Sequence, residues 1–456
     1  MATTRPRRRG VRRAFPILAL VAVALGVSIA VGPKPSSGGN AGTALAAASS
    51  DAATPVATAH PTRSPRPSPT ASPTPDPTPA VPVVVVHPPR PAPPSLTAAT
   101  RRELQLRLDG IRTKYALPGI SATIILSDGT SWVGTSGLAD VAAEVPVRPE
   151  TAFAIASVSK TFTAALTLAL AEERRFAIDD RVRTYLPDLD LDRRITIRQL
   201  LDHTSGLRDY FFHPRIDRRL LARPDRRWDE ARALRYVGTP YFKPGRGWHY
   251  SNTNYLVLGL LAERVTGRSL GEELRDRFFE PLGLRHTWYQ PTDEPTGPVA
   301  HGYRLTGSGD DVRAVDLTDG SSMTPFTSVV TAAAGAGAIA STSTDLARWA
   351  RALYGGEVLS GAAFGEMIGD AVRTEQYAPA VRYGLGVQFV EVGGRAALGH
   401  SGRLLGARSV IRWLPAEQVA VAVLTNQSRT DPGIVARALL RIALRPATDC
   451  DCGPRR

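Results

Sequence analysis

Residues 47–96 are dominated by Pro, Ala, Thr and Ser, as in Pro61-Thr-Arg-Ser-Pro-Arg-Pro-Ser-Pro69 and Ser72-Pro-Thr-Pro-Asp-Pro-Thr-Pro79. Such a composition cannot bury an apolar core, and its prolines favour extended polyproline conformation over helix or ladder. The stretch therefore reads as a spacer, and any large folded unit has to be built from the residues C-terminal to it. The chain divides into an N-terminal segment (1–46), the spacer (47–96), a domain (97–445) and a tail (446–456). Val83–Val86 is an apolar interruption of the spacer to which the sequence assigns no role.

The same division locates the charge. The chain carries a net +14, but residues 1–96 hold ten Lys/Arg against two Asp, so only +6 remains for the rest. No basic run interleaved with aromatics occurs in the domain, which argues against nucleic acid as a partner. Arg5, Arg7, Arg8, Arg9, Arg12 and Arg13 precede an apolar run from Phe15 to Val31, and Ala44-Leu45-Ala46 has the small-x-small form of a cleavage site. Arg12-Arg13 loosely resembles a twin-arginine signal. The apolar run is short of the roughly 20 residues a membrane span uses. Both a cleaved signal and a retained membrane anchor fit it, and either exports the domain to the cell envelope or beyond. Cys450 and Cys452 lie in the tail without a histidine cluster, and no His-Glu-x-x-His set occurs, so neither metal nor cofactor is expected.

Ordered sequence begins near Leu96. Leu104, Leu106, Leu108 and Ile111 predict a helix over 97–115. Two strands, 119–126 and 130–137, flank the turn Ser127-Asp-Gly-Thr130. A helix follows Ser157 to about Glu173, and the middle, 180–335, is mainly helix and loop. Strands are expected at 383–389, 395–400, 407–414 and 418–424, then a closing helix at 431–444. Strands at both ends of a helical middle predict an α/β (α+β) domain whose sheet joins distant parts of the chain.

Three short clusters carry chemistry. Of 56 basic residues only four are lysine (Lys34, Lys114, Lys160, Lys243), and Lys160 lies three residues after Ser157, on the same helix face. Arginine cannot serve as a base, whereas a desolvated lysine can. Tyr250-Ser251-Asn252 sits on a loop before a helix spanning Tyr255 to Val265, and His400-Ser401-Gly402 ends a strand. Each alone has a bland reading: a capping serine with a solvated lysine, a packed aromatic, a structural histidine. Two decoys are set aside. Gly267-Arg-Ser-Leu-Gly271 matches a nucleophile elbow but follows a helix, with Ser269 placed to cap the next one. His203-Thr-Ser-Gly206 reads as a structural turn flanking the site.

Together and in this order, Ser-x-x-Lys, Tyr-Ser-Asn and His-Ser-Gly resemble the three active-site motifs of the penicillin-recognising serine hydrolases. These include class C β-lactamases, D-alanyl-D-alanine carboxypeptidases and class VIII-type esterases. The resemblance spans about 97–445 and is reinforced by Ile195–Leu207, Tyr250–Gly259 and Gly337–Leu346. It implies a β-lactamase/transpeptidase-like fold: an antiparallel sheet flanked by helices, plus a mainly helical inserted subdomain.

It also implies roles. Ser157 is the nucleophile, Lys160 takes its proton, and Tyr250 shares that proton and passes it on. Asn252 holds the lysine and a substrate amide. His400 replaces the lysine of many relatives, and at its ordinary pKa it is partly charged at neutral pH beside a substrate carboxylate or ester. Ser401 and Gly402 complete that wall. The backbone N–H groups of Ser157 and Arg403 form an oxyanion hole, with the Arg403 side chain at the mouth, facing an anionic substrate or solvent. The implied activity is that of an exported serine hydrolase forming an acyl-enzyme, first of all a D-alanyl-D-alanine carboxypeptidase on peptidoglycan peptides. β-Lactamase or esterase activity are alternatives, and an envelope receptor binding muropeptides or β-lactams without turnover is the reading from another class.

Overall fold

The computed structural model describes residues 96–308, 311–374 and 381–445. The leader, the spacer with Val83–Val86, and the tail with Cys450 and Cys452 lie outside the described residues.

Helix α1 (Ala98–Lys114) starts where the Thr97 hydroxyl accepts the Thr100 N–H at 3.1 Å. It buries Leu104, Leu108 and Ile111, but Leu106 is 72% exposed. Two residues along a helix is a turn of about 200°, so Leu106 cannot share a face with Leu104 and Leu108. The 127–130 turn joins β1 (Gly119–Ile125) to β2 (Ser131–Asp140), as expected, and β3 (Val145–Pro146) follows.

The other strands of this sheet come from the C-terminal part: β4 (Val372–Arg373), β5 (Arg382–Tyr383), β6 (Gln388–Val392), β7 (Arg395–Leu404), β8 (Ala407–Leu414) and β9 (Val419–Thr425). Among the described residues these nine strands form one antiparallel sheet in the order β3-β2-β1-β9-β8-β7-β6-β5-β4. The pairing of β1 with β9, Ile120 opposite Thr425 through Ile125 opposite Ala420, closes the two ends of the domain on each other.

Both β1 and β9 are buried at every position because helices cover both faces. On one face Ile120, Ile124, Val421 and Val423 pack with Leu104 and Leu108 of α1 and Val435 and Leu439 of α5 (Gly433–Ala443). The other face carries α2 (Ser159–Glu172), α3 (Asn252–Thr266) and α4 (Ser343–Tyr354), with Phe162 stacked on Trp349 at 3.9 Å. Ser121 and Thr123 point from β1 to this second face, each 2.8 Å from the Ser343 hydroxyl at the start of α4. The long insertion between β3 and β4 is mainly helical, with a short three-stranded sheet formed by 153–154, 288–289 and 339–341.

One expected strand is two. The run 383–389 breaks at Gly384–Val387, where the Gly384 N–H bonds the Val387 carbonyl at 2.9 Å. Gly386 has φ +81, and a Cβ there would lie 2.4 Å from the Ala164 Cβ and 3.0 Å from the Tyr255 hydroxyl. The turn presses so closely on α2 and α3 that only glycine fits. The elbow decoy resolves as expected: Ser269 caps the helix Leu270–Leu274 in a reciprocal box with Glu272, directly after α3.

Candidate active site

Ser157 sits in a 3₁₀ turn, Ala156–Val158, that runs straight into α2. Ala156, just before it, is held at φ +49, a conformation that costs an L-residue about 1 kcal/mol or more. In the first turn of a helix, N–H groups have no acceptor one turn earlier, so the Ser157 amide lies at the positive end of α2.

Lys160 is wholly buried, and its Nζ meets three oxygens: Ser157 Oγ at 3.1 Å, Asn252 Oδ1 at 2.7 Å and the Ala336 carbonyl at 2.7 Å. Both closer partners are carbonyl oxygens and can only accept. A neutral amine has two N–H bonds to give them, and its lone pair is then left facing Ser157 Oγ. Burial makes that form accessible, pulling the lysine pKa down to about 7, against the opposing pull of the Asp209 carboxylate.

Asn252 begins α3, so the Tyr-Ser-Asn motif runs from the loop into the helix itself, ahead of the expected start at Tyr255. While its Oδ1 accepts a hydrogen bond from the lysine, its Nδ2 donates to Asp209 Oδ2 at 2.7 Å. These opposite partners fix which way the amide points. Asp209 is buried, also accepts the Phe211 N–H at 2.9 Å, and has its pKa raised by desolvation. Sequence reasoning missed it. A lone Asp between Arg208 and Tyr210, outside the three clusters singled out for chemistry, carries no local signal beyond its cap of the short helix Tyr210–Phe212. The Ala336 carbonyl was likewise invisible, since any residue supplies one. Tyr250 lies with its ring centroid 5.0 Å from Lys160 Nζ.

The third motif is placed beside the first, but not as expected. Gly402 is required by close approach: a Cβ there would fall 2.3 Å from the Ile155 carbonyl and 3.2 Å from the Ala156 Cβ. Gly402 therefore faces the Ser157 turn, and its neighbours Ser401 and Arg403 present their side chains to the opposite face of the sheet. Ser401 turns its hydroxyl to Gln388 at 3.3 Å, and Arg403 is paired across the strands with Arg408. The expected substrate contacts of Ser401 and of the Arg403 side chain are corrected on this ground.

His400 is corrected too. It is 1% exposed, its Nδ1 lies 2.7 Å from the Ser401 carbonyl and its Nε2 2.9 Å from the Tyr383 hydroxyl. A carbonyl only accepts, so Nδ1 carries the proton and Nε2 accepts from Tyr383. Burial, reinforced by Lys160 and Arg412, lowers its pKa to about 3. The imidazole is neutral at pH 7 and both its nitrogens are engaged by the protein.

The direction of the Arg403 backbone follows from its strand. The Ser401 N–H leaves β7 away from β8, because it donates to Gln388 Oε1 at 3.1 Å. Amides two residues apart on a strand point the same way, so the Arg403 N–H leaves on that side as well, beyond Gly399 where pairing with β6 ends. Gly402 brings this strand against the turn that carries Ser157.

A serine 3.1 Å from the Nζ of a buried lysine, with a tyrosine ring 5.0 Å from that nitrogen, is an arrangement that can activate a nucleophile. It lies between an antiparallel sheet and a helical insertion. The beta-lactamase family model matches residues 102–445, and the chain belongs to that family. The D-aminopeptidase of Brucella anthropi is 31% identical over 338 residues, 72% of this chain and 60% of that protein, so the chain spans less than two thirds of that relative. Penicillin-binding protein 4 of Amycolatopsis lactamdurans is 30% identical over 71% of this chain and 84% of its own length. Among solved structures, the D-amino acid amidase from Ochrobactrum anthropi SV3, complexed with L-phenylalanine amide, superposes with a TM-score of 0.66 at 25% identity, covering 76% of this chain and 98% of that one. The D-stereospecific amidohydrolase from Streptomyces sp. does so with a TM-score of 0.62 at 29% identity, over 75% and 97%.

Proposed function

We propose that the protein is a serine hydrolase that cleaves amide, peptide or short ester bonds of D-amino-acyl substrates through an acyl-enzyme on Ser157. The observation that carries this reading is the buried Lys160 Nζ, 3.1 Å from Ser157 Oγ and held there by two carbonyl acceptors at 2.7 Å. As Ser157 Oγ attacks the substrate carbonyl, its proton passes to Lys160 Nζ. The developing oxyanion is met by the N–H groups of Ser157 and Arg403. The Lys160–Tyr250 pair returns the proton to the leaving amine or alcohol, and water then releases the acid.

The D-amino-acyl class is taken from the names of the relatives and from the absence of a cationic side chain among the β7 residues described at the cleft. A carboxypeptidase grips a terminal carboxylate, and neutral His400 offers it no charge. The D-alanyl-D-alanine carboxypeptidase and β-lactamase readings are therefore placed second. Export to the cell envelope, from the Arg5–Arg13 and Phe15–Val31 pattern, belongs to this proposal; no described helix is long and apolar enough to cross a membrane.

Purified protein assayed in parallel on a D-amino acid nitroanilide, a D-Ala-D-Ala peptide, a chromogenic β-lactam and a nitrophenyl ester decides the matter. Turnover of the first and last, with an acyl mass on the peptide containing Ser157, is the expected result. Binding of labelled penicillin without turnover of anything identifies a receptor and overturns the enzyme reading.

A further inference from the structure

The sequence places His203 in a turn beside the site, yet its contacts converge on Tyr250 from both sides. Its carbonyl accepts the His249 N–H at 3.2 Å, and its Nδ1 accepts the Ser251 N–H at 3.2 Å. One residue thus grips the chain immediately before and immediately after the tyrosine. Between these grips the imidazole ring lies 4.4 Å from the Tyr250 ring, centroid to centroid. Asn254 Nδ2 also reaches Nδ1, at 3.1 Å, and ties the clamp to the first turn of α3.

The rest of the residue explains why this is more than packing. Both groups at Nδ1 donate, so the ring proton sits on Nε2. That N–H is buried without a hydrogen-bond acceptor among the described residues, walled by the rings of Tyr383 at 4.9 Å, Tyr255 at 5.3 Å and Trp248 at 5.9 Å. His203 also holds φ +66, in the left-handed region. An unmet buried donor and a strained backbone at one position persist only where the surroundings over-determine them, and such costs gather at functional sites. His203 is fully buried, so no solvent reaches the ring.

We propose that His203 is a positioning residue for Tyr250, holding the phenol in register with Lys160 while exchanging no proton itself. The inference rests on the acyl-enzyme reading above. His203→Phe keeps a ring and removes the acceptor, whereas His203→Asn keeps a side-chain acceptor and tolerates the left-handed backbone.

The test uses the full-length chain and the acylation burst on a nitrophenyl ester. His203→Phe is expected to lower the burst rate by about 10²-fold, the usual consequence of misplacing a reacting group, with KM little changed. His203→Asn should recover part of that rate. In a Tyr250→Phe background the further loss from either change should be within about twofold, because residues acting through one another are not additive. An equal loss in both backgrounds, or a change confined to KM, overturns the proposal.

Amide exchange of the 248–252 segment, read without turnover, should accelerate in His203→Phe; unchanged protection there also overturns it. If the wild-type protein shows no burst on any substrate, the enzyme reading fails, and the exchange measurement still judges the clamp. Should His203→Phe not fold, His203→Asn carries both readouts.

Discussion

Lys160 Nζ lies 2.7 Å from Asn252 Oδ1, and the Asn252 amide links it through a second buried hydrogen bond to the Asp209 carboxylate. Asp209 raises the lysine pKa while burial lowers it, and burial prevails. Asp209→Asn removes the opposing charge, so Lys160 should lose its proton at lower pH. The acid limb of kcat/KM should move down, raising the ratio of activity at pH 6 to that at pH 8. A limb that stays in place or moves up would show that the carboxylate is not felt at the amine.

The wild-type pH profile follows from the same lysine. Attack needs the neutral amine, so kcat/KM should rise with pH through about 7 and level off above it. A rising limb centred near the ordinary lysine value would mean that the site admits water and Lys160 is not desolvated.

Ser157→Ala should lower turnover by about 10⁴-fold or more and abolish the acyl mass. Lys160→Arg keeps the charge and removes the basicity, so it should be nearly as damaging. Burst kinetics at pH 8 separate the two, and a mild effect of Lys160→Arg would remove it from the role of base.

Gly402→Ala sets a Cβ 2.2 Å from the Ser409 hydroxyl and 2.3 Å from the Ile155 carbonyl. Relieving that overlap pushes β7 away from the Ser157 turn, at a stability cost of about 1–3 kcal/mol. It also widens the gap between the two oxyanion amides. Thermal melting should fall by a few degrees while kcat falls by about 10²-fold, the scale seen when one oxyanion donor is removed. A lower melting temperature with unchanged kcat would move the oxyanion donor elsewhere.

His400 couples the site to acid stability. Its pKa is about 3 in the folded protein, below the ordinary value of 6.5, so between those limits the unfolded chain holds a proton that the folded one does not. Stability from this group is complete above pH 6.5 and is lost as pH falls toward 3, by at most about 1.4 kcal/mol per pH unit. Melting temperature measured from pH 7 to pH 4 should fall less steeply in His400→Gln than in the wild type. Parallel curves would show that His400 is not the titrating group.

Much of this architecture was legible because it is local. Periodicity placed α1, the β1–β2 hairpin, α2 and the C-terminal strands, and the glycine-containing turn between β1 and β2 announced itself. The motif residues Ser157, Lys160 and Tyr250 stand close together in the structure. Leu106 was a local miss set by helix geometry, and the other failures came from distance in the chain. The break at Gly384–Val387 lies where the chain presses on Ala164 and Tyr255, more than a hundred residues away, leaving room for glycine alone at 386.

The sequence by itself determined the helical middle between strands and singled out Ser157 and Lys160 as candidates, because apolar spacing, turn chemistry and rare residue types are properties of short segments. Only the tertiary structure decided how those residues are electrically set. It recruited Asp209 and the Ala336 carbonyl, buried Lys160 until its charge became costly, and neutralised His400 by burial. It also turned Ser401 and the Arg403 side chain to the far face of the sheet. Burial and hydrogen-bond partnership arise from segments far apart in the chain, and they determine whether a lysine is a base and whether a histidine is a cation.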